Sequence, residues 1–264
     1  MRHLPRTLES EPLPPPVAEG EVWAFGRFVL KLRGPWPAAA KLGFTRSRRP
    51  PRAEVRLSEA GEPVPAELLC RIDRVWCGAS RPGKALVSGR ALQGCKAAEW
   101  KKTLVIAGAH AAGFLPLHAS AVRGRNGVAV FLGTSGAGKT TISTRLLTDY
   151  DLVDDETVVA APARQGAVIF GSRLLLPERR PTTPDELPLA ALIVLRQAPR
   201  CLLTPLPKAR VFPLLLEGRS PAGRVRLSEQ ARLATRLLAA VPCFRLDFNL
   251  QVRRTVEALM PILG

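Results

Sequence analysis

The spacing of apolar and polar positions divides the chain into two unlike halves. In the first, "EVWAFGRFVLKL" (Glu21–Leu32) is β-like, and the prolines of "GPWPAAAKLGF" break it. "RSRRPPR" reads as a loop and "AEVRLSEAGEPVP" as a hairpin with "EAGE" at its tip. The stretch Ala66–Leu92 is ambiguous apart from the strand-like "KALVSGRAL". Residues 1–20, rich in proline and acids, read as a flexible lead-in. Residues 21–93 then form a small mixed or β-rich N-terminal domain.

The second half alternates strands with helices. In "CKAAEWKKTLVIAGAHAAG" (Cys95–Gly113), Ala97, Trp100, Leu104 and Ala107 recur at helical spacing, and Gly113 supplies a stop. Two strand-like runs follow, "LPLHASAVR" and "VAVFLG", joined by "GRNG" (Gly124–Gly127). Gly and Asn tolerate the positive φ of a tight hairpin, so an antiparallel pair is expected. From Thr140, "TTISTRLLTDY" predicts about three helical turns, and "LVDDETVVAA" a strand. "AVIFGSRLLL" follows a turn at "RQG", and Pro177–Pro188 form a proline-broken loop. The strand "LAALIVL" precedes helices around Ala209–Leu216 and Leu227–Ala240. "CFRLDF" and a helix near Leu250–Leu263 end the chain. This alternation implies an α/β core with helices packed on the sheet.

Composition changes that picture little. The 264 residues are long enough for one large domain, or a small one plus a medium one. The longest apolar runs, such as Leu189–Leu195, fall far short of the ~20 residues of a membrane span. With no apolar segment at the N-terminus either, the chain is expected in the cytoplasm, without a membrane partner. Five cysteines form no CxxC pair, and three scattered histidines do not complete a zinc site, so the thiols read as reduced, small apolar residues. The net charge of +17 comes from 31 Arg and only 8 Lys spread along the chain. The densest basic run, Thr45–Arg52, has no interleaved aromatics on which bases could stack. These features argue against nucleic acid, and an acidic peptide or protein explains the charge equally well.

The chemistry concentrates in one place. "GTSGAGKT", Gly133 to Thr140, is a full G-x-x-x-x-G-K-[ST] phosphate loop between an apolar strand and a helix-forming stretch. Gly133, Gly136 and Gly138 let the backbone approach phosphate, and the loop N–H groups face the oxyanions. Lys139 reaches the β- and γ-phosphates, and the Thr140 hydroxyl is placed for Mg²⁺. Nucleotide contacts are expected from Gly133, Ser135, Gly136, Ala137, Gly138, Lys139, Thr140 and Thr141. Five of the 22 acidic residues lie between Asp149 and Glu156. Asp149 and Asp151 fall near a helix C-terminus and read as solvated. Asp154, Asp155 and Glu156 begin or interrupt a strand, so Asp154 and Glu156 should project one way and Asp155 the other. One such carboxylate can hold Mg²⁺, and a second can accept the proton of an attacking hydroxyl.

This compact order, "LHASAV", hairpin, "GTSGAGKTT", one short helix, "LVDDETVV", resembles the C-terminal catalytic domain of HPr kinase/phosphorylase and its relatives. Their core is similar to that of phosphoenolpyruvate carboxykinase. The relatives include small bacterial kinases acting on serine in proteins or in peptide precursors, such as those of lasso peptides. The matching positions are His118-Ala119, Gly133–Thr140, and Asp155 with either Glu156 or Asp154. "LPLAALIVLRQ" and "AVPCFRLDF" also resemble the family's later strands. The resemblance covers roughly residues 93 to 264 and implies that residues 94–264 form a P-loop kinase-like catalytic domain with ATP (or another nucleoside triphosphate) and Mg²⁺. It further implies an aspartate base toward a serine of a peptide or protein, while a carboxylate and Thr140 hold the metal. Read without gaps, Asp155 and Glu156 overlie the family's acidic pair; shifted by one, Asp154 and Asp155 do. Asp155 belongs to both readings.

Catalytic candidates are thus Asp155, Asp154, His118 and Lys139, and metal candidates Thr140, Asp155 and Glu156. His118 either approaches the phosphates or braces its strand. His110 reads as structural or exposed, and Arg179 and Arg180 either clamp a phosphate or form a solvated loop. "LPERRPTT" has only Glu178 and Arg179 in place of the Glu-x-Arg-Gly-Leu-Gly signature of the bifunctional members. Neither phosphorylase activity nor HPr as substrate is therefore expected. A small-molecule kinase and a nucleotide-binding module without transfer activity are the competing readings, and a carboxykinase-like reaction is the least favoured, because no histidine and lysine set to hold its Mn²⁺ is found. A homo-oligomer is compatible with either.

Overall fold

The structure is a computed structural model that describes residues 21–34, 36, 44–58, 69–72, 75–81, 83–88, 96–145, 150–170, 186–216 and 224–264. The lead-in 1–20 and the 171–185 segment with Glu178, Arg179 and Arg180 lie outside the described residues, as does Asp149. The architecture is mixed α/β, with two mixed sheets and five helices among the described residues.

The N-terminal sheet contains β1 (Glu21–Phe25), β2 (Phe28–Arg33), β3 (Thr45–Arg46), β4 (Ala53–Ser58), β5 (Leu69–Ile72), β6 (Val75–Arg81) and β7 (Lys84–Ser88), in the order β3-β1-β2-β4-β7-β6-β5. The β-like run 21–32 is a hairpin: Gly26, at φ +56°, opens the two-residue turn that folds β2 back on β1. The hairpin expected over 53–65 does not form as read. Both edges of β4 are taken by parallel partners, β2 and β7, and the "EAGE" tip lies outside the described residues. Helix α1 (Ala97–Ala111) follows, capped where Glu99 accepts from the Lys96 N–H at 2.8 Å. Its buried Leu104, Val105 and Ile106 pack with Phe28, Leu30 and Val55 of this sheet, in a core that continues to Phe114, Val159 and Phe170. Arg27 adds a polar link, pairing with Glu186 at 3.1 Å and donating to the Pro162 carbonyl at 3.1 Å.

The second sheet contains β8 (Leu115–His118), β9 (Ser120–Gly124) and β10 (Gly127–Leu132). After α2 (Lys139–Arg145) come β11 (Asp151–Asp154), β12 (Thr157–Pro162), β13 (Ala167–Phe170), β14 (Glu186–Gln197) and β15 (Leu202–Pro205). Helices α3 (Lys208–Leu216) and α4 (Arg224–Ala240), strand β16 (Cys243–Phe248) and helix α5 (Val252–Leu263) finish the chain. The expected hairpin at 124–127 is present, with Gly124 opposite Gly127 across Arg125 and Asn126. β10 is buried throughout and runs parallel to β14, which runs parallel to β16.

Two local expectations are corrected. "LPLHASAVR" is two strands that part at Ala119: β8 pairs with β12, β9 with β10 and β11. "LVDDETVVAA" is likewise two strands with a bend at 155–156, and Asp151 opens the first of them opposite Arg123. The helix after the glycine loop is described over Lys139–Arg145, and the rest of the expected helix lies outside the described residues. The two corrections share one cause. The segments 115–124 and 151–162 pair antiparallel along their length, from Asp151 opposite Arg123 to Ala160 opposite Leu115. Both change partner strands at the same level, so the ribbon bends at 155–156, where Ala119 N–H donates to the Glu156 carbonyl. Among the described residues, no helix is long and apolar enough to cross a membrane.

Candidate active site

The glycine loop leaves the C-terminal end of β10 and turns into α2, with the C-terminal ends of β14 and β16 alongside. Ligands of α/β sheets bind at such a crevice. Gly136 and Gly138 have φ of +81° and +96°, the left-handed region that side chains disfavour. At Gly138 space also forbids a side chain: an added Cβ would lie 2.6 Å from Cζ of Phe248. That ring comes from β16 and forms the floor under the loop. The loop closes on itself through Ala137 N–H to the Thr134 carbonyl (3.1 Å), and α2 begins with Ile142 N–H to the Gly138 carbonyl (2.9 Å).

Lys139 is 8% exposed, and its amine donates to the Gly133 carbonyl at 2.7 Å and the Thr134 carbonyl at 3.2 Å. The charge is thus held at the lip of the loop by the loop's own backbone. Fully buried Ser120 donates to the Lys139 carbonyl at 3.0 Å, which ties α2 to β9. On the other side, the Gln197 side chain donates to the Gly136 carbonyl at 3.1 Å. The next residue back along the chain, Arg196, donates to both carboxylate oxygens of Asp247 at 2.7 and 2.5 Å. That guanidinium keeps the Asp247 carboxyl below its usual range.

The three acids of the bend have separate environments. Asp154 is buried, and its Oδ1 accepts the N–H groups of Glu156 (2.8 Å) and Thr157 (2.7 Å). This local side-chain-to-backbone arrangement turns the chain. Burial raises the Asp154 pKa from 3.8 to about 7; the two backbone hydrogen bonds oppose the rise, and the charges of Asp155 and Glu156 add to it. Asp155 is half-buried and Glu156 is exposed, and both line the cleft beside the glycine loop. Strand alternation therefore fails here. Asp154 turns inward and its two followers face the cleft, because a bend replaces the continuous strand. The Glu156 carbonyl accepts from Ala119 N–H at 3.2 Å, and its carboxylate pairs with Lys102 of α1 at 2.5 Å.

The cleft encloses about 340 Å³ and is lined by His118, Ser135, Gly136, Gly138, Lys139, Thr140, Thr141, Asp155, Glu156 and Gln197. Nine of these ten were candidates from sequence. Of the others, Gly133 and Ala137 belong to the loop without lining the cleft, and Asp154 lies behind it. His118 is a half-buried wall residue at the end of β8, paired across strands with Thr157. His110 is buried against Gln230 of α4, with its Nδ1 2.8 Å from the amide nitrogen. Sequence reasoning missed Gln197 and Lys102. The end of the strand parallel to β10 was the available signal for Gln197; Lys102 looked like one more helix-surface lysine. Beside Thr141 a narrow apolar crevice opens between α2 and the start of α5, lined by Ile142, Phe248, Leu250 and Val252 among others.

The chain is similar over residues 94–166 to a family model described as phosphoenolpyruvate carboxykinase, in its ATP-dependent form. No curated protein matches the chain. The match takes in α1, the β8–β10 strands, the glycine loop and the acidic bend, rather more than a quarter of the sequence. It supports an ATP-using, kinase-like phosphotransferase of the superfamily that holds that enzyme and the HPr kinases, and not one family within it.

Proposed function

We propose that the protein is an ATP- and Mg²⁺-dependent kinase that transfers the γ-phosphate to a serine hydroxyl of a peptide or protein. The observation that carries this reading is the meeting of Lys139, Thr140 and Asp155 on one open cleft. In this reading the triphosphate lies in the glycine loop, with Lys139 on the β- and γ-phosphates. The Thr140 hydroxyl is a hard oxygen donor and suits Mg²⁺. When bound, the ion offsets charge on the phosphate oxygens.

The remaining work falls to the chain's own groups. Asp155 has no hydrogen bond to the protein among the described residues and faces the cleft, so its carboxylate is available to an incoming hydroxyl. It takes the hydroxyl proton as the serine oxygen bonds to the γ-phosphorus. The bond from that phosphorus to the β,γ-bridging oxygen breaks, and ADP carries away the negative charge. The loop N–H groups and Lys139 stabilise that charge as it develops. The 340 Å³ opening accepts a side chain presented on an extended segment, and the net charge of +17 favours an acidic one.

The test follows γ-labelled phosphate from ATP with Mg²⁺ in the presence of serine peptides of varied charge and a cell extract. Label in a polypeptide at serine supports the proposal. Label in a small metabolite selects the small-molecule kinase instead, and binding without turnover selects a regulatory module. Lys139→Ala should weaken ATP binding roughly 10- to 100-fold, the worth of a charge-assisted hydrogen bond. Isothermal titration calorimetry checks this. Unchanged affinity would remove the triphosphate from the loop.

A further inference from the structure

Four contacts grip the bend at 155–156, and one of these four comes from outside the ribbon that forms it. Asp154 accepts the N–H groups of Glu156 and Thr157, and Ala119 N–H donates to the Glu156 carbonyl. The fourth grip is the pair between Glu156 Oε1 and Lys102 Nζ. Lys102 belongs to α1, which is seated on the N-terminal sheet through its buried Leu104, Val105 and Ile106. The next residue back, Lys101, is buried with its amine 5.1 Å from the centre of the Phe44 ring. The two ends of the pair are unequal. The Lys102 side chain is 15% exposed and that of Glu156 55%. A lysine with a packed stem on a rigid helix is the fixed member, and the carboxylate at the cleft rim is the member it holds.

We infer that Lys102 is a positioning residue: by holding Glu156 at the cleft rim it sets the 155–156 bend so that Asp155 presents its carboxylate to the phosphate loop. This inference rests on the kinase reading for its consequence but not for its geometry. It assigns Glu156 to Lys102 and leaves Thr140 as the protein's metal donor and Asp155 as the base. It also gives the N-terminal sheet a task, as the mount from which α1 fixes the acidic bend. An exposed ion pair contributes only about 0–1 kcal/mol to folding. A purely structural role would therefore leave both rate and melting temperature almost unmoved, whereas a positioning role acts on rate and on the order of the bend.

Full-length Lys102→Met, Lys102→Arg, Glu156→Gln and the Lys102→Met/Glu156→Gln double variant test this. Lys102→Met and Glu156→Gln should each lower kcat about tenfold at near-constant KM for ATP. Lys102→Arg should recover most of the rate, and the double variant should be no slower than either single one, because both remove the same contact. Residue-resolved amide exchange supplies a readout free of chemistry. In Lys102→Met the amides of Glu156 and Thr157 should exchange about tenfold faster, with those of Val128–Leu132 unchanged. Manganese bound to the protein–ATP complex, followed by electron paramagnetic resonance, should keep its affinity within about twofold in Glu156→Gln. Single effects that multiply, unmoved exchange at 156–157, or a tenfold loss of Mn²⁺ affinity in Glu156→Gln would each overturn the inference. Failure of the kinase reading looks different: the native protein then transfers no phosphate to any acceptor, and the exchange experiment still decides the role of Lys102.

Discussion

Asp155→Asn should lower kcat by roughly 10²- to 10⁴-fold, the range expected when a general base is lost, with the fold and ATP affinity nearly intact. The structural grounds are specific to this acid. Asp155 lines the cleft with Lys139 and Thr140, and among the described residues its carboxylate accepts no hydrogen bond from the protein. Its replacement therefore leaves no partner stranded, and melting temperature should move little. The asparagine side chain keeps shape and an oxygen donor but cannot accept the hydroxyl proton. Single-turnover transfer and ATP titration on the same preparation separate chemistry from binding. Near-normal turnover in Asp155→Asn would refute its assignment as base.

The largest stability effect should fall one residue earlier, at Asp154. Asp154→Ala leaves the N–H groups of Glu156 and Thr157 without their acceptor at a buried site, and each such loss costs about 1–3 kcal/mol. Asp154→Asn keeps an accepting oxygen and should fold. Its comparison with the native protein depends on pH. The folded pKa of Asp154 is about 7 against 3.8 for an ordinary aspartate, so at intermediate pH the folded chain holds a proton that the unfolded chain has released. Raised in this direction, the group's contribution to stability is fully present below about pH 4 and is lost as pH climbs through 7. The whole change is worth on the order of 4 kcal/mol at most. Asp154→Asn carries no such charge, so its melting temperature should gain on the native protein between about pH 4 and 7 and level off above. Denaturation across that range checks the sign. A native protein that becomes more stable relative to Asp154→Asn with rising pH would show that the carboxylate is buried as a favourable anion.

Contrasted in activity, these two neighbours also answer which acids work together. Strand alternation pairs Asp154 with Glu156 on one face, and the family resemblance leaves Asp155 with either. The bend gives each acid its own place: Asp154 inside as the acceptor that turns the chain, Asp155 toward the phosphate loop, Glu156 at the rim against Lys102. Local sequence could not reveal this, because "LVDDETVV" has an unbroken strand pattern. The break follows from pairing with 115–124, whose own change of partner strands at Ala119 carries the partner segment with it.

What the sequence determined by itself was local and chemical. Glycine spacing, Lys139 and Thr140 specify a phosphate loop because backbone freedom, charge and a hydroxyl are needed within eight residues, wherever that loop sits in a fold. Helical periodicity likewise marked residues 97–111, and "GRNG" a hairpin, because short-range sterics and side-chain spacing suffice for both. Only the tertiary structure decided which acids face the cleft and that Gln197 reaches Gly136 across 61 positions. It likewise decided that Lys102 grips Glu156 across 54. Those contacts join segments that no sequence window spans. They exist because β10, β14 and β16 lie parallel with their ends together, and because α1 is seated on a sheet formed by the other half of the chain.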